Sequence, residues 1–231
     1  MATRPIFISD TPGSALVRVM SVDFLWFAGM SKSRRQMSAK SLYEAAQEVY
    51  PNARILEVSR MSEDSLGEQL SAFNLTFKTG LSGQEISVEC AFQASKVFEH
   101  GGPFLDLLEV SPADAKRDPR LQESGRLTGF RFFGQDWPNI PPTAFYDWVY
   151  INALHRQPTL AEAVTHFDIF TDIAFNPGKS INCQANAVAL YVALVRRGEL
   201  QAALSSREAF LRVEAGASVR DGGKEIQGSL F

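Results

Sequence analysis

The stretch Val88-Glu-Cys-Ala-Phe-Gln-Ala-Ser-Lys-Val-Phe98 sets two opposite charges inside an otherwise apolar segment. On a helix at roughly 100° per residue, Glu89, Phe92, Gln93 and Lys96 share one face. Val88, Cys90, Ala91, Ala94, Val97 and Phe98 fill the rest of the circumference. A helix apolar nearly all round is normally buried, so the narrow polar stripe is expected to face a cavity. Glu89 and Lys96 would stand two turns apart, about 10 Å along the axis, leaving room for part of a ligand. A half-exposed helix with an ordinary charged edge fits the same pattern. The helix is predicted from about Ser87 to Glu99, stopped by Gly101-Gly102.

Working outward, Leu16 to Met20 and Val22 to Phe27 read as short strands rich in branched and aromatic residues. Ser38 to Tyr50 reads as a helix stopped by Pro51, and Ile55 to Ser59 as another short strand. Leu66 to Phe73 is predicted helical, followed by an irregular segment from Asn74 to Gly83. Pro103 can open a short helix, and Ser111-Pro112 can cap one that carries Ala115-Lys-Arg117-Asp118. Leu127 to Phe133 reads as a strand, and Gly134 to Pro142 as a packed turn-rich loop. Thr143 is expected to cap a helix reaching Arg156, with Thr159 and Glu162 forming a capping box for the next. Ser180 to Arg197 carries apolar residues on nearly every face and is expected to be a central helix. Residues beyond about Glu214 are glycine-rich and charged, and read as a loose tail. The fold class is α+β, dominated by helices, with a small sheet.

The chain has 231 residues, 45% of them hydrophobic, enough to bury a full core as one large domain. A net charge of −3 argues against holding nucleic acid by bulk electrostatics, although the basic run from Lys32 to Lys40, with Arg34 and Arg35, offers a local patch. No secretory segment is read near Met1, and no apolar run is long enough to span a bilayer. Cys90 and Cys183 read as buried thiols of a protein in the reducing cytosol. His100, His155 and His166 have no metal-ligand spacing, so neither a metal nor another cofactor is expected.

Other candidate groups lie far from Glu89 in sequence. Asn176-Pro-Gly-Lys-Ser180 precedes the central helix, where backbone N–H groups attract anions and Lys179 adds charge. It lacks the glycine spacing of a Walker A loop. An ordinary Ser180 cap with a solvated Lys179 also fits. Asp172 sits among large apolar residues in Phe170-Thr-Asp-Ile-Ala-Phe175, where a buried carboxylate must be hydrogen-bonded, paired or functional. Trp148, on the helix of Phe145-Tyr-Asp-Trp-Val-Tyr150, reads either as core or as a stacking platform. No serine nucleophile elbow, Cys–His signature or dinucleotide fingerprint is present, which leaves carboxylates and lysines to carry chemistry.

Taken in order, Ser71-Ala-Phe-Asn74, Val88-Glu-Cys-Ala-Phe-Gln-Ala-Ser-Lys96, Ala115-Lys-Arg117, Phe145-Tyr-Asp-Trp148, Phe170-Thr-Asp172 and Gly178-Lys-Ser-Ile-Asn182 resemble the NADAR (YbiA-like) family. The N-terminal Phe24-Leu-Trp-Phe-Ala-Gly29 resembles the branch found beside DarT-type DNA ADP-ribosyltransferase toxins. The resemblance implies one NADAR-like domain over residues 1–213. Residues 1–65 would be its branch-specific part, residues 71–198 its family core, and residues 214–231 a tail. It implies an N-glycosidase that cleaves ADP-ribose from guanine in DNA, an antitoxin that releases free ADP-ribose. A contact with the cognate transferase toxin is a further possible partnership. By carry-over Glu89, Lys96 and Asp172 would be catalytic, and Phe92, Trp148, Lys179, Asn182, Arg117 and Asn74 would bind substrate. Asn182-Cys-Gln-Ala departs from the Asn-Arg-Leu-Gly of shorter members, so different pocket contacts are expected there.

The residues suit this chemistry. Breaking an N-glycosidic bond builds positive charge on the ribose, which a fixed carboxylate stabilises, while the leaving base needs a proton and the incoming water must lose one. Two carboxylates in different environments can divide these jobs. Alternatively, a neutral Lys96 amine attacks C1 and forms a Schiff base with the opened ribose. Hydrolysis of a ribosylaminopyrimidine of riboflavin synthesis, or ADP-ribose binding without turnover, are the competing readings.

Overall fold

The computed structural model describes residues 1–9, 15–79 and 83–220. The chain opens with β1 (Ala2–Ser9), β2 (Val17–Phe24), α1 (Lys32–Val49), β3 (Ile55–Glu57) and α2 (Ser65–Gln69), followed by a hairpin of β4 (Thr76–Lys78) and β5 (Glu85–Ser87). Next come α3 (Val88–Ala94), β6 (Lys96–Phe98), a 3-10 turn at Leu105–Leu108, α4 (Pro112–Arg117), α5 (Arg120–Glu123) and a second hairpin of β7 (Leu127–Phe132) and β8 (Gln135–Pro138). The remainder holds α6 (Ala144–His155), α7 (Pro158–Val164), β9 (Ile169–Thr171), α8 (Gln184–Arg197), α9 (Leu200–Ala203), α10 (Arg207–Glu214) and β10 (Ser218–Arg220). This is the α+β, helix-dominated architecture expected from the sequence.

The main sheet has the strand order β10-β2-β1-β9-β3. Alternation along β1 decides what covers each face. Ile6 and Ile8 join Val22, Phe24, Ile169 and Ile173 beneath Ala39, Leu42 and Ala46 of α1. Phe7 turns the other way into the larger core, which is built around α8. On α8, Ala185 and every residue from Ala187 to Leu194 are buried, as its all-round apolar sequence demands. The helix stops at Gly198, whose φ of 70° is the left-handed conformation that glycine adopts freely. Among the described residues, no helix is long and apolar enough to cross a membrane.

Several boundaries differ from the sequence reading, for identifiable reasons. The two strands expected between Leu16 and Phe27 are one strand, β2, held along its length by β1, which the sequence reading did not assign. α1 starts at Lys32, ahead of the expected Ser38, because the Ser31 hydroxyl caps the Arg34 N–H. α2 covers only Ser65–Gln69, and the loops expected at Asn74 to Gly83 and Gly134 to Pro142 contain β4 and β8. Thr143 is the residue before α6, yet its hydroxyl donates to Glu214 at 2.8 Å and caps nothing. Thr159 lies inside α7, which Pro158 opens after Gln157, so the capping box does not form. α8 begins at Gln184, since Asn176 to Ser180 folds into a turn whose Asn176 carbonyl accepts from both Lys179 and Ser180. The expected loose tail contains β10, which pairs in parallel with β2; residues 221–231 lie outside the described part.

Behind β6 the backbone packs tightly: Gly102 has φ +84°, and a Cβ there would lie 2.1 Å from the Lys96 carbonyl oxygen. Gly102→Ala is expected to lower stability by about 2–3 kcal/mol in urea unfolding. A loss below about 0.5 kcal/mol would mean that this turn does not hold β6 in place.

Candidate active site

α3 is short and wholly buried, and it starts where the Ser87 hydroxyl accepts the Cys90 N–H at 3.1 Å. It ends earlier than the sequence suggests. After Ala94 the chain turns, the Ser95 hydroxyl donates back to the Ala91 carbonyl at 2.7 Å, and Lys96 pairs across from Phe130 of β7. The expected single helix from Ser87 to Glu99 is therefore corrected to a helix followed by a strand. A ladder for Lys96-Val97-Phe98, with its branched and aromatic residues, outweighs another helical turn. Lys96 is consequently not a helical neighbour of Glu89.

Glu89 is 4% exposed. Its Oε1 accepts from Gln93 Nε2 at 2.8 Å, and its Oε2 lies 3.5 Å from the Lys116 ammonium of α4. Lys96 Nζ stands 4.7 Å from the centroid of the Phe92 ring. Burial lowers the Lys96 pKa to about 8, with Glu89 opposing that shift and Lys116 adding to it. Roughly one lysine in ten is therefore neutral at pH 7. Phe92 itself is core, packed against Phe130, Phe145 and Tyr146 at 5.1 to 6.3 Å between centroids.

Asp172 reaches the same region from the far end of the chain. The parallel pairing of β3 with β9 sets Glu57 beside Thr171, and Asp172 follows directly. Asp172 Oδ1 accepts the N–H groups of Ala174 at 2.9 Å and Phe175 at 3.1 Å, and the Cys183 thiol points at Oδ2 from 3.8 Å. Burial above all, and then Glu57, pushes the Asp172 pKa up to about 7, against the two N–H groups and Lys116. Glu57 is buried as well, receiving the hydroxyls of Ser59 and Thr171 at 2.6 Å each and the Ile173 N–H at 2.9 Å. Burial raises its pKa despite those donors.

Tyr146 ties the two sides together. Its phenol is pushed up by burial first and then by several anions, Glu89 and Asp172 both among them. Lys116 likewise pairs with Glu89 and is felt by Asp172. Two carboxyl groups from α3 and from the end of β9 thus act on one phenol and one ammonium.

The other expected residues divide. Asn182 adjoins Cys183, and its buried Oδ1 has no partner. Lys179 is exposed on the turn before it. Asn74 is exposed and tied to the Glu68 carbonyl at 2.8 Å, outside the carboxylate cluster. Arg117 is exposed, with Nε on the Ala113 carbonyl at 3.0 Å. It lies roughly 100° round α4 from Lys116, so the lysine and not the arginine meets Glu89. Trp148 lies roughly 200° round α6 from Tyr146, on another side of the helix. It packs against Trp137 at 4.8 Å and borders a cleft of about 260 Å³ with Phe77, Phe132, Phe133, Gln135 and Arg156, none of them a carboxylate. In the basic run, Lys32 and Lys40 engage Glu68 and Glu44 at 3.9 and 4.0 Å.

Sequence reasoning missed Glu57, Tyr146 and Lys116. Each carried a signal: a glutamate inside the apolar strand Ile55-Leu-Glu57, a tyrosine beside the chosen tryptophan, and a lysine beside the chosen arginine. Among the described residues, no group of three or more His, Cys, Asp or Glu side chains is arranged to hold a metal ion.

The profile of a family described as DarT1-associated NADAR antitoxin matches residues 2–222. The chain belongs to this family. A comparison with curated proteins gives no match. The family match spans β1 and β2 as well as α3 and α8, so in this NADAR antitoxin the N-terminal strands and the carboxylate-bearing segments belong to one family pattern.

An acid whose pKa is higher in the fold than the ordinary 3.8 weakens the fold progressively as pH rises from about 4 to about 7. Asp172→Asn keeps the acceptor oxygen and removes the charge. Its melting temperature is expected to exceed that of the unsubstituted protein by roughly 3–6 °C at pH 8, with little difference at pH 4. Equal shifts at the two pH values would contradict a raised Asp172 pKa.

Proposed function

We propose that this NADAR antitoxin is an N-glycosidase that removes ADP-ribose from guanine in DNA, reversing the modification made by a DarT1-type toxin. The observation that carries the reading is that Glu89 and Asp172 share Tyr146 and Lys116 as neighbours, with Lys96 within electrostatic reach of Glu89 and Lys116. Glu89 pairs with Lys116 and accepts from Gln93, a placement that suits stabilisation of positive charge on the ribose ring. Asp172, with a pKa near 7, suits proton transfer, since it can both hold and release a proton at neutral pH.

In the direct route, Asp172 gives its proton to the leaving guanine as the C1–N bond breaks, and water adds to C1. The proton that water loses returns to the Asp172 carboxylate, so free ADP-ribose and unmodified guanine are the products. In the covalent route, the neutral Lys96 amine adds to C1 as guanine departs with the Asp172 proton. The ribose ring then opens to a protonated imine on Lys96, water hydrolyses it to release ADP-ribose and leave the Lys96 ammonium, and that ammonium's extra proton returns to the Asp172 carboxylate, restoring both the amine and the acid. The lowered Lys96 pKa favours including this second route.

With an oligonucleotide carrying ADP-ribosylated guanine, Glu89→Gln and Asp172→Asn are each expected to reduce ADP-ribose release by at least about 100-fold. Near-normal turnover in both variants would refute the assignment. Borohydride added during turnover separates the routes: an ADP-ribosyl adduct on Lys96 by mass spectrometry supports the imine, and full activity of Lys96→Met excludes it.

A further inference from the structure

The proposed chemistry leaves unused a pair of arginines laid on aromatic rings at the edge of the carboxylate cluster. The Arg60 guanidinium carbon lies 4.1 Å from the Phe73 ring centroid, and Lys116 Nζ lies 5.3 Å from the same centroid. Because Lys116 pairs with Glu89 at 3.5 Å, one ring and one lysine link Arg60 to Glu89. Arg4 lies over Trp26 at 5.5 Å. β1 runs antiparallel to β9 with Phe7 opposite Phe170. Burial lowers the Arg4 pKa, and the charge of Asp172, which directly follows β9, opposes that shift.

Among the described residues, neither arginine has a carboxylate within ion-pair distance. Arg4 donates from Nη1 to the Thr3 carbonyl at 3.0 Å, while its buried Nε has no acceptor. A buried N–H without an acceptor costs stability, and a stacked guanidinium presents its planar fork in a fixed direction. Such a group fits an oxyanion that accepts two hydrogen bonds. Two unneutralised guanidiniums near a site that already holds Lys96 and Lys116 exceed what a neutral ribosylamine requires.

We propose that Arg60 and Arg4 bind the diphosphate of the ADP-ribosyl group, with Phe73 and Trp26 fixing their guanidinium planes, so that the site selects nucleoside-diphosphate riboses over small ribosylamines. This rests on the glycosidase reading and adds to it the residues that recognise the substrate class. Both arginines come from the N-terminal segments, outside the stretch that supplies Glu89, Lys96 and Asp172.

The test is calorimetric binding of ADP-ribose and of ribose 5-phosphate to the full chain, to Arg4→Met and Arg60→Met, and to Glu89→Gln, with circular dichroism confirming folding. Each arginine variant is expected to lose roughly 10–100-fold in ADP-ribose affinity. Ribose 5-phosphate binding should stay within about threefold, a difference below 1 kcal/mol. In turnover of the modified oligonucleotide, KM rises with kcat little changed. Glu89→Gln serves as the folded, turnover-deficient comparison, and Arg60→Gln replaces Arg60→Met if the latter does not fold. Unchanged ADP-ribose affinity in both arginine variants, with hydrolysis intact in the unsubstituted protein, overturns the inference and leaves the glycosidase reading standing. Neither binding nor hydrolysis by the unsubstituted protein would overturn both.

Discussion

Among the described residues, four carboxyl groups, those of Glu57, Glu89, Asp147 and Asp172, are kept inside a largely apolar interior, and much of the architecture is arranged around the demand made by Glu57, Glu89 and Asp172. A buried carboxylate is tolerated only with donors or a counter-charge, and otherwise it takes up a proton. The fold uses all three solutions. Glu57 collects two hydroxyls and a backbone N–H, Glu89 receives Lys116 and the Gln93 amide, and Asp172 accepts two N–H groups while its pKa climbs to about 7. Each solution depends on an element from elsewhere in the chain. The parallel β3–β9 pair sets Glu57 opposite Thr171, next to Asp172 in the chain, α4 brings Lys116 to Glu89, and α6 supplies the Tyr146 phenol on which Glu89 and Asp172 both act.

What the sequence made legible follows from how local each signal is. The all-round apolar α8 and the apolar character of α3 were readable because burial of a helix is written in its own residues. The length of α3 was not, since Lys96-Val97-Phe98 leaves the helix only to pair with β7, some thirty residues on. β1 escaped notice for the same reason, as its strand is defined by β2 and β9 on either side. Glu89, Lys96 and Asp172 stood out as charges among apolar neighbours. Glu57 stood in a similar setting, but its importance depends on the strand beside it. The choices of Arg117 over Lys116 and Trp148 over Tyr146 turn on one or two residues of helical phase, which a motif without its tertiary partners does not fix.

Shape and electrostatics single out different places in this structure. The hollow beside Trp148 is walled by aromatic rings and holds none of the perturbed carboxyl groups. The carboxylate cluster is tighter, and its electrostatics carry more information: an acid poised near neutrality, a lysine with its pKa lowered to about 8, and a glutamate held by a counter-ion. Strongly shifted groups gathered at one place are the usual mark of a working site. Membership of the DarT1-associated NADAR antitoxin family sets that cluster within an antitoxin.

The most direct measurement is a crystal structure of the Glu89→Gln variant soaked with ADP-ribose. The account predicts the ribose C1 within about 3.5 Å of a side-chain atom of Asp172 or Lys96, with residue 89 facing the ring. Density for the ribose in the hollow beside Trp148, with the space around Asp172 closed by protein, would contradict it.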